Sequence, residues 1–323
     1  TSLHHELAMQ SRQLPRRIVY VSTLALNARP LKVREGMQVI EHIAKARDPL
    51  VSFEIVPPPR GSSAKDIIDV VEELHGLNPP WIDVTSHSSV THYREKNDGT
   101  IQRRTVRKRP GTLGICGIIQ NRFKIDTVAH ILCHGFTREE TEDALIELSF
   151  LGIHNVLALR GDTHGVEKVI PKERTKNQYA ADLVAQIGAM RKGQFLEDID
   201  NSDPLEFCVG VAGYPEKHFE SPSLKADVLN LKKKVDAGAD YIITQMFFDN
   251  AKFFEFEKAC RDAGITVPII PGLKILRTAN QLKTLPRAFY IDLPDELIDQ
   301  VQKNPEHTAE IGKQWTLKQS REL

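Results

Sequence analysis

Glu54 stands inside an apolar run, Val51-Ser52-Phe53-Glu54-Ile55-Val56, that stops at Pro57-Pro58-Pro59. A carboxylate in such a run costs free energy unless it is paired or protonated. It reads either as a general acid kept protonated by desolvation or as a structural ion pair with an interior Arg or Lys. Asp162 follows Arg160-Gly161 after a second apolar run, and is either a second functional carboxylate or a helix cap. Gln245 ends a third run, Tyr241-Ile242-Ile243-Thr244, where its amide can meet a ligand or bridge interior layers. Two carboxylates and an amide at three such ends are jointly hard to assign to structure alone.

Two other groupings are weaker. His130-x-x-Cys133-His134 has the residue types of a metal site, but strand alternation puts His130 and Cys133 on opposite faces and no further Cys or His pair completes a set. No metal is expected. The run Arg103-Arg104-Thr105-Val106-Arg107-Lys108-Arg109 lacks interleaved aromatic residues, so it reads as a solvated loop that meets an anionic cofactor or substrate tail, and nucleic acid is not expected. His87 and His92 read as loop residues without a role.

The elements that must position these residues repeat. Helical spacing at Ile67, Val70, Val71 and Leu74 closes at Gly76, and Trp81–Thr85 follows as a strand. Thr137-x-x-Glu140 is a capping box that opens a helix closed by Gly152, before the strand Asn155–Leu159. Leu224, Val228, Leu231 and Val235 mark a helix face closed by Gly238, before Tyr241–Gln245. Phe254, Lys258 and Ala259 lead to Gly264 and then Val267–Ile270. Strands that are apolar throughout, alternating with helices, make a parallel sheet covered by helices. Seven strands are expected near 50–56, 81–85, 128–133, 155–160, 206–212, 240–246 and 267–271. The fold class is α/β, a (β/α)8 barrel with the eighth strand not evident at the C-terminus. A doubly wound sheet is the runner-up, weakened because no G-x-G-x-x-G follows the first strand. Residues 87–126 form a long insertion whose second half, Thr112–Phe123, suits a helix.

Composition narrows the function. Lys plus Arg and Asp plus Glu are each 43, so no global field draws the chain to nucleic acid or membrane. The apolar runs are too short to span a bilayer, and the polar start lacks a signal-peptide core. Four dispersed cysteines read as reduced core thiols of a cytoplasmic protein. Residues 1–36 read as an N-terminal extension, an arm or vector-derived residues, and 37–323 as the catalytic domain.

The strand-end segments carry a resemblance. Phe53–Pro58, Ala158–Asp162, Gly213–His218, Asn230–Asp240 running on to Thr244–Asp249, and Ile269–Leu273 occur in order, and together they resemble the catalytic domain of methylenetetrahydrofolate reductases of the bacterial type. The resemblance covers Met37–Leu323. It implies a barrel that binds FAD, uses NADH or NADPH as co-substrate, and reduces 5,10-methylenetetrahydrofolate to 5-methyltetrahydrofolate by ping-pong hydride transfer, in one-carbon metabolism and methionine biosynthesis. By motif match it assigns FAD contacts to Thr85, His130, Leu159, Arg160, Gly161, Asp162, Tyr179, Ala212, Tyr214, His218, Asp227, Asn230, Lys233, Lys234 and Ile243. Glu54 matches the general acid, with Asp162 beside flavin and pterin. Gln245 and Gln281 match the folate contacts. Lys233 stands where some members have Arg, which keeps charge but loses bidentate geometry. Asn230, Lys233 and Lys234 lie at i, i+3 and i+4, so one helix face can present all three to a pyrophosphate.

Departures from the family pattern set further expectations. Its eighth strand should follow the helix near Thr308–Leu323, so the barrel is either open or filled by another segment. Arg17–Ser22 has strand composition and is the candidate filler. No regulatory domain of the eukaryotic kind is present, so control by adenosylmethionine is not expected. The partners are folate and a nicotinamide cofactor, with room for a homo-oligomer. The competing readings are a flavin-free barrel enzyme acting on a phosphorylated metabolite and a nucleic-acid binder using the basic insertion.

Overall fold

The computed structural model describes residues 36–106, 109–161 and 174–323. Asp162, Arg107, Lys108 and the candidate strand at 17–22 lie outside these residues.

Seven parallel strands form one curled sheet. They are β1 (Phe53–Ile55), β2 (Trp81–Val84), β5 (Asp126–Leu132), β6 (Asn155–Leu159), β7 (Cys208–Gly213), β8 (Tyr241–Thr244) and β9 (Ile269–Ile270), paired in that order. All seven fall where the helix–glycine–strand rhythm places them. The chain's ten α-helices among the described residues include α1 (Val39–Lys45), α2 (Ala64–His75), α3 (Thr112–Ile118), α4 (Arg138–Phe150), α5 (Ala180–Met190), α6 (Leu224–Asp236) and α7 (Asn250–Asp262). The result is a half-barrel, with strands 1 and 9 at its edges.

Two apolar layers follow from strand alternation. One face of the sheet packs on the helices through Ile82, Val84, Ala129, Val156, Val209 and Ile242. The other face, Trp81, Val128, Leu157, Cys208 and Tyr241, fills the concave side with Val39. α1 seals the lower end, where Val39 N–H donates to Asn155 Oδ1 at 2.9 Å and Asn155 Nδ2 donates to Met37 O at 3.1 Å. Gly210 leaves room on the concave side for the Tyr241 ring, since a Cβ there would stand 2.3 Å from its Cζ. The capping box at Thr137 is formed, with Glu140 N–H donating to the Thr137 hydroxyl at 3.1 Å.

The insertion departs from the expected loop. Its first half is an antiparallel hairpin, β3 (Val90–Glu95) with β4 (Ile101–Val106), whose pairs include His92 with Arg104 and Tyr93 with Arg103. The turn carries Asp98-Gly99, with Gly99 at φ +77°, a turn that closes hairpins well. Adjacent charges, Arg94-Glu95 and Arg103-Arg104, break the apolar–polar alternation that marks a strand. The second half is helical, α3 running into a π turn at Ile119–Phe123. After β9 come α8 (Gln281–Phe289), α9 (Asp295–Lys303) and α10 (Thr308–Glu322). Phe248, Leu276, Leu285, Ile291, Leu297 and Val301 form a separate apolar cluster there.

Candidate active site

The predicted residues divide between two places at the C-terminal ends of the strands. The first is a cavity of about 580 Å³ over β6 and β7. It collects Leu159, Arg160, Tyr179, Ala212, Tyr214, His218, Asp227, Asn230, Lys233 and Lys234 from three segments. α6 positions four of them. Ser223 caps it by accepting from Ala226 N–H at 3.2 Å, and the helix then turns Asp227, Asn230 and Lys234 to one side.

The cavity gathers three cations, Arg160, Lys233 and Lys234, with three carboxylates, Asp182, Glu220 and Asp227, and its polar groups are tied to protein neighbours. Lys233 Nζ donates to Asn230 Oδ1 at 3.1 Å, and Lys234 Nζ donates to Ala212 O. Burial pushes the Lys234 ammonium down to about 8, against the pull of Asp227. Arg160 pairs with Glu220 at 2.6 Å, and that hydrogen bond holds Glu220 below the usual carboxylate range. Burial and the Arg160 charge hold His218 below the ordinary imidazole value. Asp227 accepts from Ser221 Oγ at 2.8 Å and from His218 N–H at 3.0 Å. It therefore braces the loop after β7. Gly161, at φ +87°, turns the chain sharply at the end of β6.

The second place is the mouth of the concave face above β1, β2 and β5. Glu54 lies opposite Asp83 in the strand register. His130 Nε2 stands 3.9 Å from Glu54 Oε2 and 3.7 Å from Asp83 Oδ1. Glu54 is open to solvent at the mouth, its side chain 55% exposed. The surrounding walls still strip away enough water to raise its pKa; His130 and Lys274 pull it down and Asp83 pushes it up. Thr85, next along β2, keeps its hydroxyl buried without a hydrogen-bond partner among the described residues. Ile243 and Leu159 pack against the concave apolar layer.

Sequence reasoning missed Asp83, Glu220 and Lys274. Asp83 had a signal, since it is a second carboxylate inside a strand. Glu220 had none, because its partner lies 60 residues away. The two glutamines are less free than expected. The Gln245 side-chain carbonyl accepts from Met246 N–H at 2.9 Å. That of Gln281 accepts from Arg277 N–H at 2.6 Å and Thr278 N–H at 3.1 Å at the start of α8. The amide NH2 of each makes no hydrogen bond among the described residues. The chain entering α3 is tied beside Glu54's strand, where Arg109 donates to Pro57 O and Thr112 Oγ1 donates to Thr85 O at 3.0 Å.

A cavity gathering Arg160, Lys233 and Lys234 and a carboxyl group of raised pKa lie at the strand ends of one sheet, and the likeness to known proteins is as follows. The methylenetetrahydrofolate reductase family model matches residues 39–323. A 5,10-methylenetetrahydrofolate reductase of Pectobacterium carotovorum is 30% identical over 266 residues, covering 81% of this chain and 77% of that protein. A probable methylenetetrahydrofolate reductase (NADPH) of Caenorhabditis elegans is 28% identical over 81% of this chain, which spans 36% of that longer protein. Among solved structures, an uncharacterized Clostridium thermocellum protein that binds two copies of 5-methyl-5,6,7,8-tetrahydrofolic acid shares the fold. Its TM-score is 0.52 and its identity 13%, over 87% of this chain and 86% of that one. By the extent of the family match and the identity to the Pectobacterium enzyme, the chain belongs to the methylenetetrahydrofolate reductase family of oxidoreductases.

Proposed function

We propose that this chain reduces 5,10-methylenetetrahydrofolate to 5-methyltetrahydrofolate with NADH or NADPH, using FAD. The observation that carries this reading is the pairing of a cavity that gathers Arg160, Lys233 and Lys234 with Glu54, a carboxyl group whose pKa is raised by desolvation. The cavity fits FAD by its donor set. Lys233, Lys234 and Arg160 offer positive charge to a pyrophosphate, Asn230 offers an amide, and Tyr179 and Tyr214 offer ring faces. FAD bound there supplies a two-electron carrier between nicotinamide and folate.

The residues then divide the work. Lys233 and Lys234 hold the diphosphate, and Asp227 keeps the β7–α6 loop in place behind it. Gln245 and Gln281 orient folate through their amide NH2 groups. Glu54 donates the proton that opens the imidazolidine ring of the substrate, because an amine nitrogen leaves poorly unless protonated. Desolvation raises the pKa of this carboxyl, which favours the protonated form that the role requires. Asp162 is assigned beside the pterin by its motif alone. The hairpin's Arg103 and Arg104 attract the anionic tail of folate or a nicotinamide phosphate.

No helix among the described residues is long and apolar enough to cross a membrane, and we place the protein in the cytoplasm. Residues 37–323 are the catalytic domain and 1–36 an extension. The test is product formation. Purified protein reconstituted with FAD should convert methylenetetrahydrofolate and NADH or NADPH to methyltetrahydrofolate, identified by mass. Turnover of a phosphorylated metabolite without flavin would replace this reading.

A further inference from the structure

The floor beneath Glu54 holds more buried polar chemistry than a lone acid needs. Glu54 and Asp83 are register partners, and Asp83 is paired to Val128, so His130 projects from the same face two residues further along β5. Asp83 is 2% exposed and His130 4%. Asp83 Oδ2 is fixed by the Trp81 indole N–H at 3.1 Å. Its other oxygen, Oδ1, and His130 Nε2 are buried without a hydrogen bond among the described residues, and so is the Tyr241 hydroxyl from β8. Unsatisfied carboxylate and imidazole atoms this deep are costly. Catalytic contacts are often long before substrate binds, and both His130 distances, 3.7 and 3.9 Å, are of that kind.

We propose that Asp83 is a positioning residue of the acid site, acting through His130 to keep the transferable proton on Glu54. The proposal rests on the reading of Glu54 as proton donor. Its logic is a competition between two carboxylates for one imidazole nitrogen. Asp83, immobilised by Trp81, faces His130 Nε2 at 3.7 Å and engages the ring nitrogen that would otherwise face Glu54 alone. Glu54 is then spared from ionising to pair with the ring and keeps its proton for the substrate. With Asp83 neutral, Glu54 becomes the sole carboxylate facing the ring and gives up its proton more readily. The charged groups that act on Glu54 are His130 from β5, Asp83 from β2 and Lys274 from the segment after β9.

Infrared titration of the FAD-reconstituted protein reads this directly. The carbonyl stretch of protonated Glu54 is assigned by its loss in Glu54→Gln and followed against pH. Asp83→Asn should move its midpoint to lower pH, and His130→Gln to higher pH. The alkaline limit of flavin reoxidation by methylenetetrahydrofolate should move with them. Should Asp83→Asn not fold, Asp83→Ser repeats the test with a smaller neutral side chain. Midpoints that stay put, or that move the same way in both variants, overturn the proposal. Opposite infrared shifts combined with normal reoxidation in Glu54→Gln would uphold the positioning role while removing Glu54 as the acid.

Discussion

The cavity over β6 and β7 and the floor over β1, β2 and β5 differ in how their polar groups are satisfied. In the cavity, Lys234, Lys233, Arg160 and Asp227 all have protein partners. On the floor, Asp83 Oδ1, His130 Nε2 and the Tyr241 hydroxyl make no hydrogen bond among the described residues. A region that only binds can be organised in advance by its own hydrogen bonds, which lowers the ordering cost of association. A region that moves a proton must keep donors and acceptors uncommitted. The contrast predicts that substitutions in the two places fail differently.

The largest effect is expected at Glu54. Glu54→Gln should slow flavin reoxidation by methylenetetrahydrofolate by roughly a hundred- to ten-thousandfold, with flavin reduction by the nicotinamide cofactor near its original rate. Stopped-flow absorbance separates the two steps, and equal slowing of both would make Glu54 structural.

The cavity should respond in affinity. Lys234→Met is expected to weaken FAD binding by about ten- to a hundredfold, the worth of one charged hydrogen bond. The pH dependence has a definite sign. The free lysine titrates at about 8, and pairing with a diphosphate raises that value. Affinity is therefore full below about pH 8 and falls above it, by up to about tenfold per pH unit. Fluorescence titration of FAD should show the decline in the native protein and not in Lys234→Met. A pH-independent affinity in the native protein would separate Lys234 from the diphosphate.

These regions were unequally legible in the sequence. The cavity could be read because Asn230, Lys233 and Lys234 share one helix, where spacing alone sets a common face. The floor could be read only at Glu54, since its relation to Asp83 and His130 depends on the register of three strands far apart in sequence. Four strands, β2, β6, β8 and β9, were evident because each follows a helix closed by glycine, and the other three were read from apolar runs that fill the series. The hairpin was not, although Asp98-Gly99 was a usable signal, because consecutive arginines at 103 and 104 break the alternation that marks a strand. α8 and α9 escaped because they follow the repeat's last strand and pack in their own cluster.

Smaller effects sharpen the comparison. Replacing Arg103 and Arg104 by Gln should raise KM a few-fold at low salt and less at high salt, since exposed charges are screened. Equal KM values at both salts would leave the hairpin without a steering role. Thr137→Ala removes a capping box remote from both regions and should cost about 1 kcal/mol of stability in urea, with both half-reactions unchanged. Altered half-reaction rates would show that α4 couples to the site.

The central claim is that one chain joins a flavin cavity to a folate acid site. Anaerobic single turnover of the FAD-reconstituted protein tests it most directly. NADH or NADPH alone should bleach the visible flavin absorbance, and methylenetetrahydrofolate added afterwards should restore it, with one methyltetrahydrofolate formed per flavin. A protein that binds no flavin, or a bleached flavin that methylenetetrahydrofolate does not reoxidise, would contradict the account.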